Sequence, residues 1–315
     1  MTALADALEE YLAMRQSLGV HLRVTAGLLR RFVAFVDRAG SEVITSDLAL
    51  RWAMESGEVQ PATWAWRFGM VRRFASWRRT IDPRTEVPPA GLLPHRFRRT
   101  PPYLYTEMEI RSLLTAARAL PSARGLRGVT YATLFGLLAS TGLRVSEALQ
   151  LDDPDVDLAT GLLTIRRTKF GKSRIVPVHR STTEALTRYV DARNRLLPRR
   201  RAPAFFVSER GRRLTDGNTR HTFALVSRQI GLRAPTPGRR HGRGPRLHDM
   251  RHRFAASTLV AWYRAGRDVE RDLPTLATYL GHVHVNDTYW YLEAVPELLA
   301  LAAARVADRP AERVP

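Results

Sequence analysis

Six prolines fall between Asp82 and Pro102 (Pro83, Pro88, Pro89, Pro94, Pro101 and Pro102), and no continuous helix or central strand can run through such a stretch. The chain must therefore fold as separate parts on either side of it. Arg96, Arg98 and Arg99 lie within the same stretch, which makes it a stiff, extended and basic connector. With 315 residues there is enough chain for two domains, each able to bury its own core. The expected organisation is a helical domain over 1–81, a linker over 82–104 and a second domain over 105–315.

Before the break the apolar residues recur at helical spacing. Residues 4–18 form one amphipathic stripe with Leu4, Leu8, Tyr11, Leu12 and Leu18, and 24–39 form a second with Leu28, Leu29, Phe32, Phe35 and Val36. Thr45-Ser46-Asp47 caps a shorter helix containing Leu48, Leu50 and Trp52. Pro61 opens a fourth, with Trp64, Phe68, Val71, Phe74 and Trp77 on one face. Four such helices make a small bundle. Arg67, Arg72, Arg73, Arg78 and Arg79 line the last of them, either as a solvated face or as contacts to phosphate.

After the break, Thr106-Glu107-Met108-Glu109 fits a helix start, and a further helix over 127–140 stops at Thr141-Gly142. Leu162–Ile165 and Ser173–Val178 are β-type runs flanking Lys169-Phe170-Gly171-Lys172, which predicts a hairpin with a basic tip. Helices then dominate, interrupted by a Pro/Gly/Arg-rich loop at about 231–246. From Gly217 through His248 there are seven arginines and no acidic residue, and Arg239, Arg240 and Arg243 of that run are candidate phosphate grips, with Arg72 and Arg73.

Charge narrows the partners. Fifty basic residues against thirty acidic ones leave +20, which suits a polyanion, nucleic acid first. Cysteine is absent, which excludes disulfides, thiolate metal sites and cysteine nucleophiles. The N-terminus lacks the blocks of a signal peptide, and the longest mostly apolar run, Tyr131–Leu143, is too short for a bilayer. A soluble intracellular, cytoplasmic protein with no membrane partner is the expectation. Among the fifty basic residues only Lys169 and Lys172 are lysines. Arginine cannot deliver a proton near neutral pH, whereas a lysine can be tuned to do so, so a site needing a transferable proton would keep lysine.

Three short motifs hold the candidate chemistry. Thr141-Gly142-Leu143-Arg144-Val145-Ser146-Glu147 is a glycine turn leading into a helix, with Arg144 in the first turn beside backbone N–H groups that favour an anion. Glu147 lies three residues on, placed to orient the guanidinium. His248-Asp249-Met250-Arg251-His252 opens a long helix on which His248 and Arg251 share a face, presenting an imidazole and a bidentate cation to one anion. It is a poor zinc site, with no further ligand at metal spacing. In Tyr279-Leu280-Gly281-His282 a glycine ends a helix and His282 follows at once, with Tyr291 nine residues beyond it. A phenol has a pKa of about 10 and becomes a useful nucleophile only beside cations. Tyr289 shares an i, i+3, i+6 stripe with Leu292 and Val295, which assigns Tyr289 to packing and leaves Tyr291 for chemistry.

Arg144 in Thr-Gly-Leu-Arg-x-Ser-Glu, a hairpin lysine about 25 residues later, His-x-x-Arg, Leu-Gly-His and a tyrosine nine residues on resemble, in order and spacing across 105–295, the tyrosine recombinase (phage integrase) family. The resemblance implies a mainly α fold with a small β-hairpin or sheet in the catalytic domain. The helical part would be the core-binding, SAM-like domain of a two-domain clamp on double-stranded DNA. It implies that Tyr291 attacks a scissile phosphate to leave a 3′-phosphotyrosyl link. Arg144 and Arg251 would hold the non-bridging oxygens while His248 and His282 assist with charge and proton transfer. Lys169 would protonate the leaving 5′-oxygen, and Lys172 would grip backbone phosphate. No metal, ATP or other cofactor is implied. Exchange would proceed in a homo- or hetero-tetramer on specific recombination sites, with sister recombinases or accessory DNA-binding proteins as further partners. Phe170 departs from the family, which usually has a small residue there. Leu273–His282 and Asp287–Tyr291 are more similar to recombinases of transposon-like elements than to chromosome-dimer resolvers. The rival readings are a non-cleaving DNA-binding accessory factor and a type IB topoisomerase-like enzyme.

Overall fold

The computed structural model describes residues 2–307 apart from 21, 56, 58, 96–100, 167–172, 201, 237 and 238, with backbone only at 23, 235, 236, 239–243, 286, 292–294 and 305–307. The chain divides into two compact units, Met1–Thr100 and Pro101–Pro315.

In the first unit the helix starts follow from their caps. The Thr2 hydroxyl accepts from the backbone of Ala5 at the head of α1 (Ala3–Ser17), and Thr45 does the same for Leu48 at the head of α3 (Ser46–Met54). Between them runs α2 (Arg23–Arg38), and α4 (Pro61–Arg79) begins on a proline whose missing N–H costs nothing there. The apolar faces meet in one core, with the Tyr11 ring 5.4 Å from Phe74 and Phe32 edge-on to Trp52. Leu18 is an exception, because it falls beyond the end of α1 and is exposed. Part of the proline-rich stretch lies against this bundle: Glu86 N donates to Ile44 O, Ser46 N donates to the Glu86 carboxylate, and Leu93 packs on the core. On α4, Arg67 sits 4.4 Å over the Trp52 ring and Arg78 pairs with Asp82, while Arg72 and Arg73 are exposed.

The second unit is built around α6 (Leu126–Thr141), which is buried on almost every side. Against it pack α5 (Glu107–Arg118), α8 (Arg180–Leu196) and α10 (Leu247–Arg264). The start of α5 is a full capping box between Thr106 and Glu109. After the short α7 (Val145–Gln150), a three-stranded antiparallel sheet forms in the order β1 (Val156–Asp157), β2 (Leu162–Ile165), β3 (Arg174–Pro177). Its register sets Leu163 opposite Val176 and Ile165 opposite Arg174, which turns Leu163, Ile165 and Val176 into the core. The two-residue β1 is too short for a period-2 pattern to reveal. The predicted basic tip, with Lys169 and Lys172, lies outside the described residues.

Beyond α8 comes α9 (Asp216–Gln229). Where the Pro/Gly/Arg content predicts a loop, the backbone instead forms a hairpin of β4 (Ala234–Thr236) and β5 (Arg239–Arg243). Arg239, Arg240 and Arg243 fall on β5. The chain continues through α11 (Val269–Leu280), α12 (Asn286–Ala294) and α13 (Pro296–Ala307), which close a second apolar cluster against α10. Among the described residues no helix is long and apolar enough to cross a membrane.

Candidate active site

Two glycine turns frame the site. α6 ends at Gly142 with φ 62° and α11 ends at Gly281 with φ 71°, the left-handed region in which glycine is favoured. Both turns are also tight. An added Cβ would lie 2.7 Å from Phe254 Cδ1 at Gly142 and 2.6 Å from Arg174 Nη1 at Gly281.

The carbonyls around these turns hold two arginines. Arg251, on α10 and 2 % exposed, donates from Nη1 to Gly142 O at 2.9 Å and from Nη2 to Leu280 O at 2.8 Å. Arg144 donates from Nη2 to Gly281 O at 3.1 Å and from Nη1 to Glu147 Oε1 at 2.8 Å. Each guanidinium is thus fixed before any substrate arrives, the condition under which a charge stabilises a transition state most. Burial and the Arg144 charge push the Arg251 guanidinium down to about 10, so it stays charged at neutral pH. One expectation changes. Arg144 is the N-cap of α7 and its own N–H donates to Glu147 Oε2 at 2.9 Å, so the carboxylate occupies that N-terminal donor. What Arg144 offers an anion is its partly exposed guanidinium.

The imidazoles and the phenol meet beside these arginines. His282 follows Gly281, and its Nδ1 lies 2.7 Å from the hydroxyl of Thr288, which is fully buried on α12. The Tyr291 ring stacks 6.3 Å from His282 and is 2 % exposed. Its hydroxyl lies 3.3 Å from Nδ1 of His252, whose ring in turn sits 4.7 Å from that of His248 at the surface. Burial pushes the Tyr291 phenol up, and the Arg251 and Arg144 charges pull against it. Burial and neighbouring charge push His252 and His282 each down to about 4, and the same causes lower His248, which stays open to solvent. For His248 and His282 that charge is chiefly Arg251, and for His252 it is His248. At neutral pH all three are therefore unprotonated and able to accept a proton.

This has a consequence for stability. An ordinary imidazole titrates at 6.5, so between that value and about 4 the unfolded chain binds protons that the folded chain refuses. Stability present above pH 6.5 is lost as pH falls toward 4. The melting temperature is expected to drop already between pH 7 and about 5, before most carboxylates titrate, and to drop less in His252→Gln. A flat melting temperature over that interval contradicts the buried neutral state.

Tyr289 does not pack as its stripe suggests. It is 41 % exposed, whereas Thr288, Tyr291 and Val295 are buried. The stripe assumed a helix continuing through Val295, but α12 ends at Ala294 and Val295 is extended. Two residues at the site were not among the candidates. His252 stands at i+4 from His248, the spacing that stacks side chains on one helical face, so the expectation that no further metal-type ligand shares that face was mistaken and the signal was readable. Arg174 forms a bidentate pair with Glu147, at 3.0 Å to Oε1 and 2.9 Å to Oε2, and no local pattern distinguishes it from other arginines. Burial pushes the Glu147 carboxyl up, but the hydrogen bonds from Arg174 and Arg144 outweigh it and hold it below the usual carboxylate range. Among the described residues no three His, Asp or Glu side chains are grouped to hold a metal ion.

The site thus gathers a partly exposed arginine, a buried one, neutral imidazoles and a buried phenol, a set whose chemistry suits an anion and an oxygen nucleophile. Residues 104–297 match the Phage integrase family. An integrase/recombinase named y4rB, from Sinorhizobium fredii, is 48% identical over 99% of this chain and 100% of its own length. The Tn1549 transposon integrase in complex with transposon right end DNA superposes with a TM-score of 0.64 at 17% identity, covering 98% of this chain and 99% of that one. A lambda integrase in a tetramer bound to a Holliday junction gives a TM-score of 0.64 at 15% identity, covering 99% and 79%. The chain belongs to the phage integrase family, the tyrosine recombinases, enzymes that cut and rejoin DNA.

Proposed function

We propose that Tyr291 is the nucleophile of a site-specific recombination reaction, with Arg144 and Arg251 holding the non-bridging oxygens of the scissile phosphate. The observation that carries this is the Tyr291 hydroxyl, buried 3.3 Å from a neutral imidazole and beside the backbone-anchored Arg251. In the reaction the phenol oxygen bonds to phosphorus, the bond to the 5′-oxygen breaks, and a 3′-phosphotyrosyl link remains. The phenol proton passes to an imidazole, and His252 is the one in contact with it here. His248 and His282 would support the charge that develops on the phosphate. Because two guanidiniums meet that charge and the link conserves the bond energy, the scheme uses neither metal nor ATP.

DNA is the partner, and the finer assignments follow from the same reading. A tetramer on two paired sites, made of this chain alone or with sister recombinases, suits a family whose neighbours include a tetramer on a Holliday junction. Accessory DNA-binding proteins could join it. Arg72, Arg73, Arg239, Arg240, Arg243 and Lys172 are assigned to DNA phosphates. Similarity to y4rB and to the Tn1549 integrase fold supports a mobile-element integrase acting on the bacterial nucleoid. The test is a nicked suicide duplex carrying the chain's own site, incubated in EDTA. A covalent protein–DNA adduct is the expected result. No adduct on any cognate site would favour an accessory factor, and relaxation of plasmids lacking any site would favour a topoisomerase-like enzyme.

Lys169 is assigned as the acid that protonates the leaving 5′-oxygen. Lys169→Arg keeps the charge and removes an accessible proton, so cleavage is expected to fall by about 10²–10⁴-fold. A duplex with sulfur in the 5′-bridging position leaves without protonation and should restore the rate. Failure of that rescue moves the acid to another residue.

A further inference from the structure

We infer that Arg174 is a positioning residue for this reaction, holding both oxygens of Glu147 and thereby setting the guanidinium of Arg144 toward the scissile phosphate. The inference rests on the reading that Arg144 contacts that phosphate.

Arg174 begins β3, opposite Ile165, and its side chain leaves the sheet to join two helices. Nη1 and Nη2 take Glu147 Oε1 and Oε2 on α7, and Nε donates to Tyr279 O at 2.8 Å near the end of α11. All three nitrogens are therefore committed within the protein. The Arg174 side chain is 11% exposed and that of Glu147 5%. Three of its N–H donors point inward and its side chain is largely covered, which separates it from Arg144, whose side chain is 31% exposed.

The geometry shows what the arrangement does to Arg144. Glu147 Oε1 is shared between Nη1 of Arg144 and Nη1 of Arg174, while Oε2 takes the Arg144 backbone N–H and Arg174 Nη2. With both oxygens shared, the carboxylate receives one side-chain nitrogen from Arg144, and Nη2 of Arg144 reaches Gly281 O. Without Arg174 a buried carboxylate would face one cation alone. Coulomb attraction would then draw Arg144 into a bidentate pair and off Gly281, because such pairs are the strongest geometry available to both groups. The charge left for a phosphate would fall.

Gly281 fits the same account. A Cβ at position 281 would lie only 2.6 Å from Nη1 and 2.8 Å from Cζ of the Arg174 guanidinium. The glycine in Leu-Gly-His thus serves the turn and also seats Arg174. Stability alone is a weak reason for such a buried pair, since apolar replacements of buried ion pairs are often neutral. Fixing the orientation of a neighbouring charged group is a use an apolar residue could not supply.

The test is a double-mutant cycle between Arg174→Met and Arg144→Ala, read by single-turnover cleavage of the suicide duplex, DNA affinity and melting temperature. Arg174→Met is expected to slow cleavage by about 10–100-fold with DNA affinity retained. In the Arg144→Ala background the same change should have almost no further effect, because both act through one group. A duplex with a neutral methylphosphonate at the scissile position should shrink the Arg174→Met deficit, since no anionic oxygen remains to be held. If Arg174→Met does not fold, Arg174→Lys enters the same cycle, because an ammonium cannot reproduce the fork. Additive losses, an undiminished deficit on the methylphosphonate, or wild-type cleavage by a folded Arg174 variant beside a slow Arg144→Ala would overturn the inference alone. Wild-type cleavage by Arg144→Ala would overturn the underlying site reading.

Discussion

Tyr291→Phe is expected to abolish the covalent protein–DNA adduct while folding and DNA binding persist. The substitution removes one oxygen from a ring that is 2 % exposed and keeps the ring's packing on the α10–α12 cluster. The lost contact is the one to His252 Nδ1, at 3.3 Å a long hydrogen bond. Losing it should cost about 1 kcal/mol of stability or less. The loss of activity has no such ceiling, because no second nucleophile replaces the phenol at that position. Tyr289, exposed and two residues away, points to a different side of α12. Tyr289→Phe should therefore leave adduct formation near the wild-type rate.

Arg251→Lys is the second large effect, expected to slow cleavage by about 10²–10³-fold with little change in DNA affinity. The lysine keeps the positive charge, so a loss of that size would show that geometry matters as well as charge. An ammonium lacks the planar fork that spans Gly142 O and Leu280 O while presenting an edge to a phosphate. Arg251→Ala is less informative, because it also leaves those two carbonyls without their donor. Each orphaned buried acceptor costs about 1–3 kcal/mol, and cleavage and folding would fall together. Arg144→Ala, at a partly exposed position, should lose a similar factor in cleavage with a smaller change in melting temperature. Near wild-type cleavage with poor DNA binding in Arg144→Ala and Arg251→Lys would make these arginines grips and misplace the site.

Local rules carried the sequence a long way. Helical periodicity and caps such as Thr45 and Thr106 place the starts of α1 to α6 and of α10 to within a residue or two, because both signals reside in neighbouring side chains. The motif residues Arg144, Glu147, His248, Arg251, His282 and Tyr291 were nominated as one group, and the fold brings them together through the turns at Gly142 and Gly281. What could not be read was tertiary. The seat of Arg251 is made of backbone carbonyls from two distant turns, which no side-chain pattern encodes. Arg174 is one arginine among forty-eight, and its partners lie 27 and 105 residues away. The β4–β5 hairpin was hidden by its composition, since Pro, Gly and Arg signal a loop before they signal a strand. The error at Tyr289 came from extending a helical stripe past the end of a short helix.

The most direct measurement is to map the residue that carries the DNA. The adduct trapped on a suicide duplex is digested with protease and nuclease, and the modified peptide is identified by mass spectrometry. A phosphotyrosyl nucleotide on Tyr291 is the predicted result. The same modification on Tyr289, or on any other residue while Tyr291 stays unmodified, would contradict the account.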